Sequence, residues 1–226
     1  YMFNYIVWII KKIYYKLSGF ETHDGTYAYR KYLFKDLCEI YGDNFFVDKR
    51  IMEIGPKDGE DTFRLESLRP SEIVMFDLPD KTEENNKWID QIKVKNKLIT
   101  ENFLYLDKEK YKDLENFDLI YFTGVLYHNP EQLKFIKKLY DKLNPEGVLV
   151  LESATTRSPI LKKKIISWLK MVGFKNIFIS KAYNPEDYNV KDSRLACIAQ
   201  KLESDSPSVY YEKQIENSNY VIGGST

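Results

Sequence analysis

The stretch from Arg50 to Asp61, RIMEIGPKDGED, restricts the fold more than any other part of the chain. A strand-forming run carries an acid, Glu53, near its end. Two glycines follow, Gly55 and Gly59, and then helix-forming residues. A strand, a glycine turn and a helix in that order grip a nucleotide-like cofactor. Backbone N–H groups at the strand's carboxyl end point at the ligand, and glycine lets it approach closely. A dinucleotide fingerprint, G-x-G-x-x-G, would need glycines at 57 and 60. Lys57 and Glu60 stand there instead, which leaves E-x-G-x-x-x-G.

The rest of the chain repeats the alternation. Tyr27 to Tyr41 reads as a helix stopped at Gly42. Val47 to Ile54 reads as the first strand, and Glu60 to Leu68 as the helix after the turn. Ile73 to Phe76 is a second buried strand ending at Asp77, and Thr82 to Ile92 a polar helix. Lys97 to Thr100 and Phe117 to Phe122 are the next strands, and Gln132 to Leu143 is a helix. Asn144-Pro145-Glu146-Gly147 is a turn before the strand Val148 to Glu152. Pro159 to Val172 is a helix, followed by strands at Ile177 to Ser180 and Leu195 to Gln200. Such alternation predicts an α/β, Rossmann-like sheet of seven mostly parallel strands with helices on both faces. Only a loop joins the last two strands, so the last is expected to be antiparallel.

At 226 residues the chain suits one α/β domain. The expected division is N-terminal helices over 1–42, a cofactor-binding domain over 43–202 and a loose polar tail over 203–226. Lysine plus arginine equals aspartate plus glutamate at 34 each. That neutrality argues against a strong grip on nucleic acid, unless a local patch hides in the total. Cys38 and Cys197 read as buried thiols in a reducing cytosol. Residues 1–17, YMFNYIVWIIKKIYYKL, are too short an apolar run to span a bilayer and lack a signal-peptide pattern. They read as a helix packed on its own domain or on a second copy, or as an interfacial helix peripheral to a membrane.

Asp77 lies 18 residues after Gly59, close to the offset at which an acid meets ribose hydroxyls. Leu78-Pro79 follows it. The fourth strand leads into Thr123-Gly124-Val125-Leu126-Tyr127-His128, and the fifth ends at Glu152.

These strings resemble the fourth and fifth motifs of the class I S-adenosylmethionine (SAM) methyltransferases, and E-x-G-x-x-x-G resembles their first. The family usually has glycine where this chain has Lys57, which either faces solvent or neutralises a neighbouring acid. Gly124 to His128 is similar to a string in the tRNA wobble-uridine carboxymethyltransferases. The resemblance runs in order from about residue 47 to 200.

It implies SAM as cofactor and S-adenosylhomocysteine as product. Cofactor contacts are expected from Glu53 at the aminoacyl end, Gly55, Pro56 and Gly59 in the turn, and Asp77 and Leu78. Asn102 at the adenine edge, Phe103, Thr123 and Gly124 complete the set. Ligands of open parallel sheets bind beyond the strands' carboxyl ends. Tyr127, Thr155, Arg157 and Tyr183 are therefore candidates for substrate contact, with Arg157 either gripping a phosphate or carboxylate or lying on the surface; Tyr27 and Arg30 join them as part of a lid with His23. His128, Glu152 and His23 are the candidate bases; His128 also reads as a structural residue at a helix start. No cluster has metal-ligand spacing, so a metal-independent transfer to oxygen or nitrogen is expected. The acceptor is expected to be a small molecule, such as a sugar or cell-surface precursor. The alternatives are a tRNA wobble-uridine enzyme or a non-catalytic SAM-fold subunit.

Overall fold

The computed structural model describes residues 29–42, 44–103, 109–111, 114, 116–154, 162–180 and 194–202. The helix expected over 1–17, the joint after it, the segments at 155–161 and 181–193 and the tail over 203–226 lie outside them.

Seven strands form one sheet: β1 (Arg50–Ile54), β2 (Glu72–Asp77), β3 (Asn96–Thr100), β4 (Phe117–Thr123), β5 (Leu143–Ala154), β6 (Lys175–Ile179) and β7 (Arg194–Gln200). Their order is β3-β2-β1-β4-β5-β7-β6. The first five run parallel; β7 is antiparallel to both β5 and β6, as its loop connection demands. Alternate residues of each strand face opposite sides. Met52, Ile54, Phe76, Ile120 and Phe122 join one core, under α4 (Gln132–Lys142) and α5 (Lys162–Val172). Ile51, Met75, Leu119, Tyr121 and Val150 join the other. It lies under α1 (Tyr29–Tyr41), α2 (Glu60–Ser67) and the connector that begins with the short α3 (Thr82–Asn85).

Three expectations need correction. Thr82 to Ile92 is not one helix: the four residues of α3 are followed by a turn and a 3-10 turn at Ile89–Gln91. No apolar residue lies between Pro79 and Trp88, so a continuous helix would have no stripe to bury, and packing supplies most helical stability. β1 starts at Arg50 rather than Val47, because residues 44–48 turn and Asp48 holds φ at 57°. The expected turn at Asn144–Gly147 lies inside β5 as a bulge. Leu143 already pairs with Phe117, and pairing resumes at Val148 with Leu119.

Cys197 is buried, which pushes its thiol up to about 12, so it is inert packing. Among the described residues no helix is long and apolar enough to cross a membrane.

Candidate active site

The glycine turn leaves β1 with Gly55 at φ 77° and reaches α2 through Gly59 at φ 76°. Side chains are excluded at both. A Cβ on Gly55 would lie 2.8 Å from Val125, and one on Gly59 would lie 2.4 Å from the Trp88 ring. Lys57 also holds a left-handed φ, 55°, with its side chain exposed. For a non-glycine residue that conformation costs on the order of 1–2 kcal/mol. The Trp88 indole N–H donates to the Lys57 carbonyl at 3.2 Å. Trp88 thus grips the turn twice, by its ring at Gly59 and its N–H at Lys57, and this chain holds its turn without the usual glycine.

Behind the turn lies a buried charge network. Glu53 is 2% exposed, and Thr62 Oγ1 donates to it at 2.6 Å. Burial first, and the nearby Asp61 second, push its carboxyl up to about 8, against the lowering effects of Thr62 and Arg30. Arg30, reaching from α1 and 4% exposed, meets Asp58 and Asp61 at 3.0 Å each and Glu60 at 3.4 Å. Burial opposes ionisation of Asp58, but Arg30 overrides it and holds that carboxyl below its usual range. Arg64 pairs with Asp61 at 2.8 Å and with Glu60. The Tyr121 hydroxyl is buried beside these charges and has no hydrogen-bond partner among the described residues.

Asp77, 7% exposed, ends β2. Its Oδ1 accepts the Leu78 N–H at 2.9 Å, and its Oδ2 accepts from Asn85 at 3.0 Å. Leu78 is 37% exposed, an apolar surface at the mouth. Glu152 is fully buried at the end of β5, in register with Thr123. The Gly124 N–H donates to the Glu152 carbonyl at 3.1 Å. His128 is exposed on the 3-10 turn after β4, with its ring 4.0 Å from that of Tyr127. Asn102 is half-buried past the end of β3.

The structure therefore gathers Glu53, Gly55, Pro56, Gly59, Asp77, Leu78, Asn102, Thr123, Gly124, Tyr127, His128 and Glu152 around the carboxyl ends of neighbouring strands. The Phe103 side chain is committed to the core instead, its ring 4.8 Å from that of Phe135. Arg30 is committed to the glycine turn's acids. His23, Tyr27, Thr155, Arg157 and Tyr183 lie outside the described residues. Sequence reasoning missed Asp61, Thr62, Arg64, Asn85, Trp88 and Tyr121. Tyr121 was the most readable of them, because it stands opposite Glu53 on the same sheet face.

The sequence profile of the methyltransferase domain matches residues 28–188. The chain belongs to the methyltransferase-domain family. It is 31% identical over 106 residues to a tRNA U34 carboxymethyltransferase of Sulfurimonas denitrificans, covering 47% of this chain and 35% of that protein. A Helicobacter pylori protein of the same name is 29% identical over 131 residues, 56% of this chain and 50% of the relative. The chain thus spans about half or less of the length of these curated relatives. Among solved structures, the N-methyltransferase NodS of Bradyrhizobium japonicum, in complex with S-adenosylhomocysteine, superposes with TM-score 0.54 at 18% identity, over 69% of this chain and 79% of that one. A SAM-dependent methyltransferase of Archaeoglobus fulgidus gives 0.53 at 18% identity, over 76% and 94%. At such identities these two likenesses speak for the fold.

Proposed function

We propose that the enzyme moves the SAM methyl group to an oxygen or nitrogen atom of its acceptor, without a metal, above the carboxyl ends of β1, β4 and β5. The observation that carries this reading is the row of buried acids, Asp77, Glu53 and Glu152, set around the glycine turn. Each Asp77 oxygen takes one donor from the protein and keeps lone pairs for the ribose hydroxyls. Leu78 offers apolar surface beside it for a flat base, with Asn102 at the base's edge. Glu53 and Asp61 would meet the cofactor's ammonium group, and Gly55, Pro56, Gly59, Thr123 and Gly124 would line its path. When bound, SAM supplies a methyl group on a cationic sulfur that leaves as a neutral thioether, so the leaving group needs no Lewis acid.

Of the candidate bases, His128 is exposed at the mouth and takes the acceptor's proton. Glu152 is fully buried, in register with Thr123, and so is less open to the acceptor than His128. His23, Tyr27, Thr155, Arg157 and Tyr183 are assigned to the lid and the acceptor side. Residues 1–42 serve as the lid or as a dimer or membrane-surface element on the 43–202 domain.

Calorimetry with SAM tests this reading. Asp77→Ala should weaken binding at least about tenfold, the cost of an acceptor withdrawn from charge-assisted hydrogen bonds. His128→Gln should leave SAM affinity within about twofold, since it acts only on the acceptor. No binding by the native protein at millimolar SAM would sink the proposal.

Two acceptor classes remain in play. The neutral total charge favours a small molecule. The tRNA U34 carboxymethyltransferases to which the chain is similar favour an RNA base.

A further inference from the structure

The chain's neutrality conceals a separation of charge between the two faces of the sheet. Helices α1, α2 and α3 carry four cations and seven acids, a balance of −3. Helices α4 and α5, packed over the opposite face, carry eight lysines against Asp141 alone, a balance of +7. Several of these lysines have local partners: Lys134 pairs with Glu131 and Lys137 with Asp141, Lys142 donates to the Tyr111 carbonyl, and Lys164 lies over the Trp168 ring. Exposed pairs of that kind are worth about 0–1 kcal/mol and yield to a stronger anion.

The placement of the charge also matters. Both helices follow strands whose carboxyl ends form the site, so both begin beside it. Neither has an acid in its first turn, whereas α2 begins with Glu60 and Asp61. Lysines in the opening turns oppose the helix dipole, at about 0.3–1 kcal/mol each. A basic layer that costs helix stability and borders the site has a use beyond solubility. Each helix is 11 residues long, roughly 16 Å, and helices pack about 8–10 Å apart. Such a plate spans several phosphates. Among the described residues, the exposed large apolar side chains, Ile40, Phe45, Phe63, Leu78, Phe178 and Ile179, all lie off α4 and α5. The plate therefore offers a lipid surface charge but no fully exposed large apolar side chain among the described residues.

We propose that the outer surface of α4 and α5 is a docking surface for an RNA backbone that brings a base to the methyl donor. This rests on the RNA reading of the acceptor above. Lys138, Lys163 and Lys170 supply phosphate contacts, and the opposite, acidic face repels the strand and so sets its orientation.

The test is binding of fluorescein-labelled tRNA to the full chain by anisotropy between 50 and 200 mM salt, beside calorimetry with SAM. Three or four phosphate contacts predict a fall in affinity of roughly 40- to 150-fold over that range. The triple variant Lys138→Glu/Lys163→Glu/Lys170→Glu should lose at least about tenfold in tRNA affinity at low salt and flatten the salt dependence. Its SAM affinity should stay within about twofold, and Lys163→Glu alone should leave the melting temperature unchanged or raised. Failure to bind tRNA with SAM binding intact overturns the docking surface and spares the methyltransferase reading. Equal tRNA binding by the variant overturns it too, as does binding only to phosphatidylglycerol vesicles. Failure to bind SAM is the separate failure of the reading beneath it.

Discussion

Under α4 and α5 the strands present Met52, Ile54, Phe76, Ile120 and Phe122, a dry core closed by Phe135 and Trp168. Under α1 and α2 the alternate positions of the same strands include Glu53, Asp77, Tyr121 and Glu152, all buried. Adjacent residues on one strand can thus serve opposite ends. One face is packed for stability. The other spends buried area on acids, arginines and a tyrosine hydroxyl that an apolar core would not tolerate without partners. The faces differ outside as well, basic over the dry core and mildly acidic over the charged one. The side that looks ordinary within is the one charged without.

The comparison breaks most sharply if the two faces respond alike. Phe135→Ala should cost about 3–5 kcal/mol in denaturant unfolding, through lost burial and the cavity left behind. SAM affinity of the folded protein should stay within about twofold. A matching loss of SAM affinity would mean that the dry face shapes the site.

Glu53 gives the next effect. Its carboxyl keeps its proton in the fold up to about 8, whereas the unfolded chain loses it in the ordinary carboxylate range. The native state then binds more protons, so stability falls as pH rises through that window, by at most about 1.4 kcal/mol per unit. Glu53→Gln should remove this slope in unfolding curves taken from pH 5 to pH 9. An unchanged slope would place the titration elsewhere in the network.

Trp88 and Lys57 give the smallest effect. Trp88→Phe removes the indole donor and keeps a ring, and should weaken SAM binding by about 1 kcal/mol, roughly fivefold. Lys57→Gly relieves the left-handed lysine and should restore most of that loss in the double variant. No rescue would show that the turn does not depend on the indole.

These sites were unequally legible. Asp77 could be placed from its offset to Gly59, because that spacing reflects one strand–turn–helix–strand unit. Strand alternation gave the sheet, and the missing helix before β7 gave its direction. Trp88, Asn85 and Arg30 act across 31, 8 and 28 or more residues of sequence. No local pattern announces such partners. The connector after β2 was misread as a helix for the same reason. Its polar run satisfies helix propensity, but its work is to bring Asn85 to Asp77 and Trp88 to the turn.

The seating of β7 between β5 and β6 has a consequence for synthesis. β6 joins the sheet through β7, which is made after it. A chain emerging from the ribosome can assemble β1 to β5 in turn, since each finds its neighbour already present or close behind. β6 must wait with its polar backbone edge unmatched until residues near 200 are translated. Vectorial growth therefore leaves this end of the sheet as the last seam to close, and a chain cut before β7 would lose two strands rather than one.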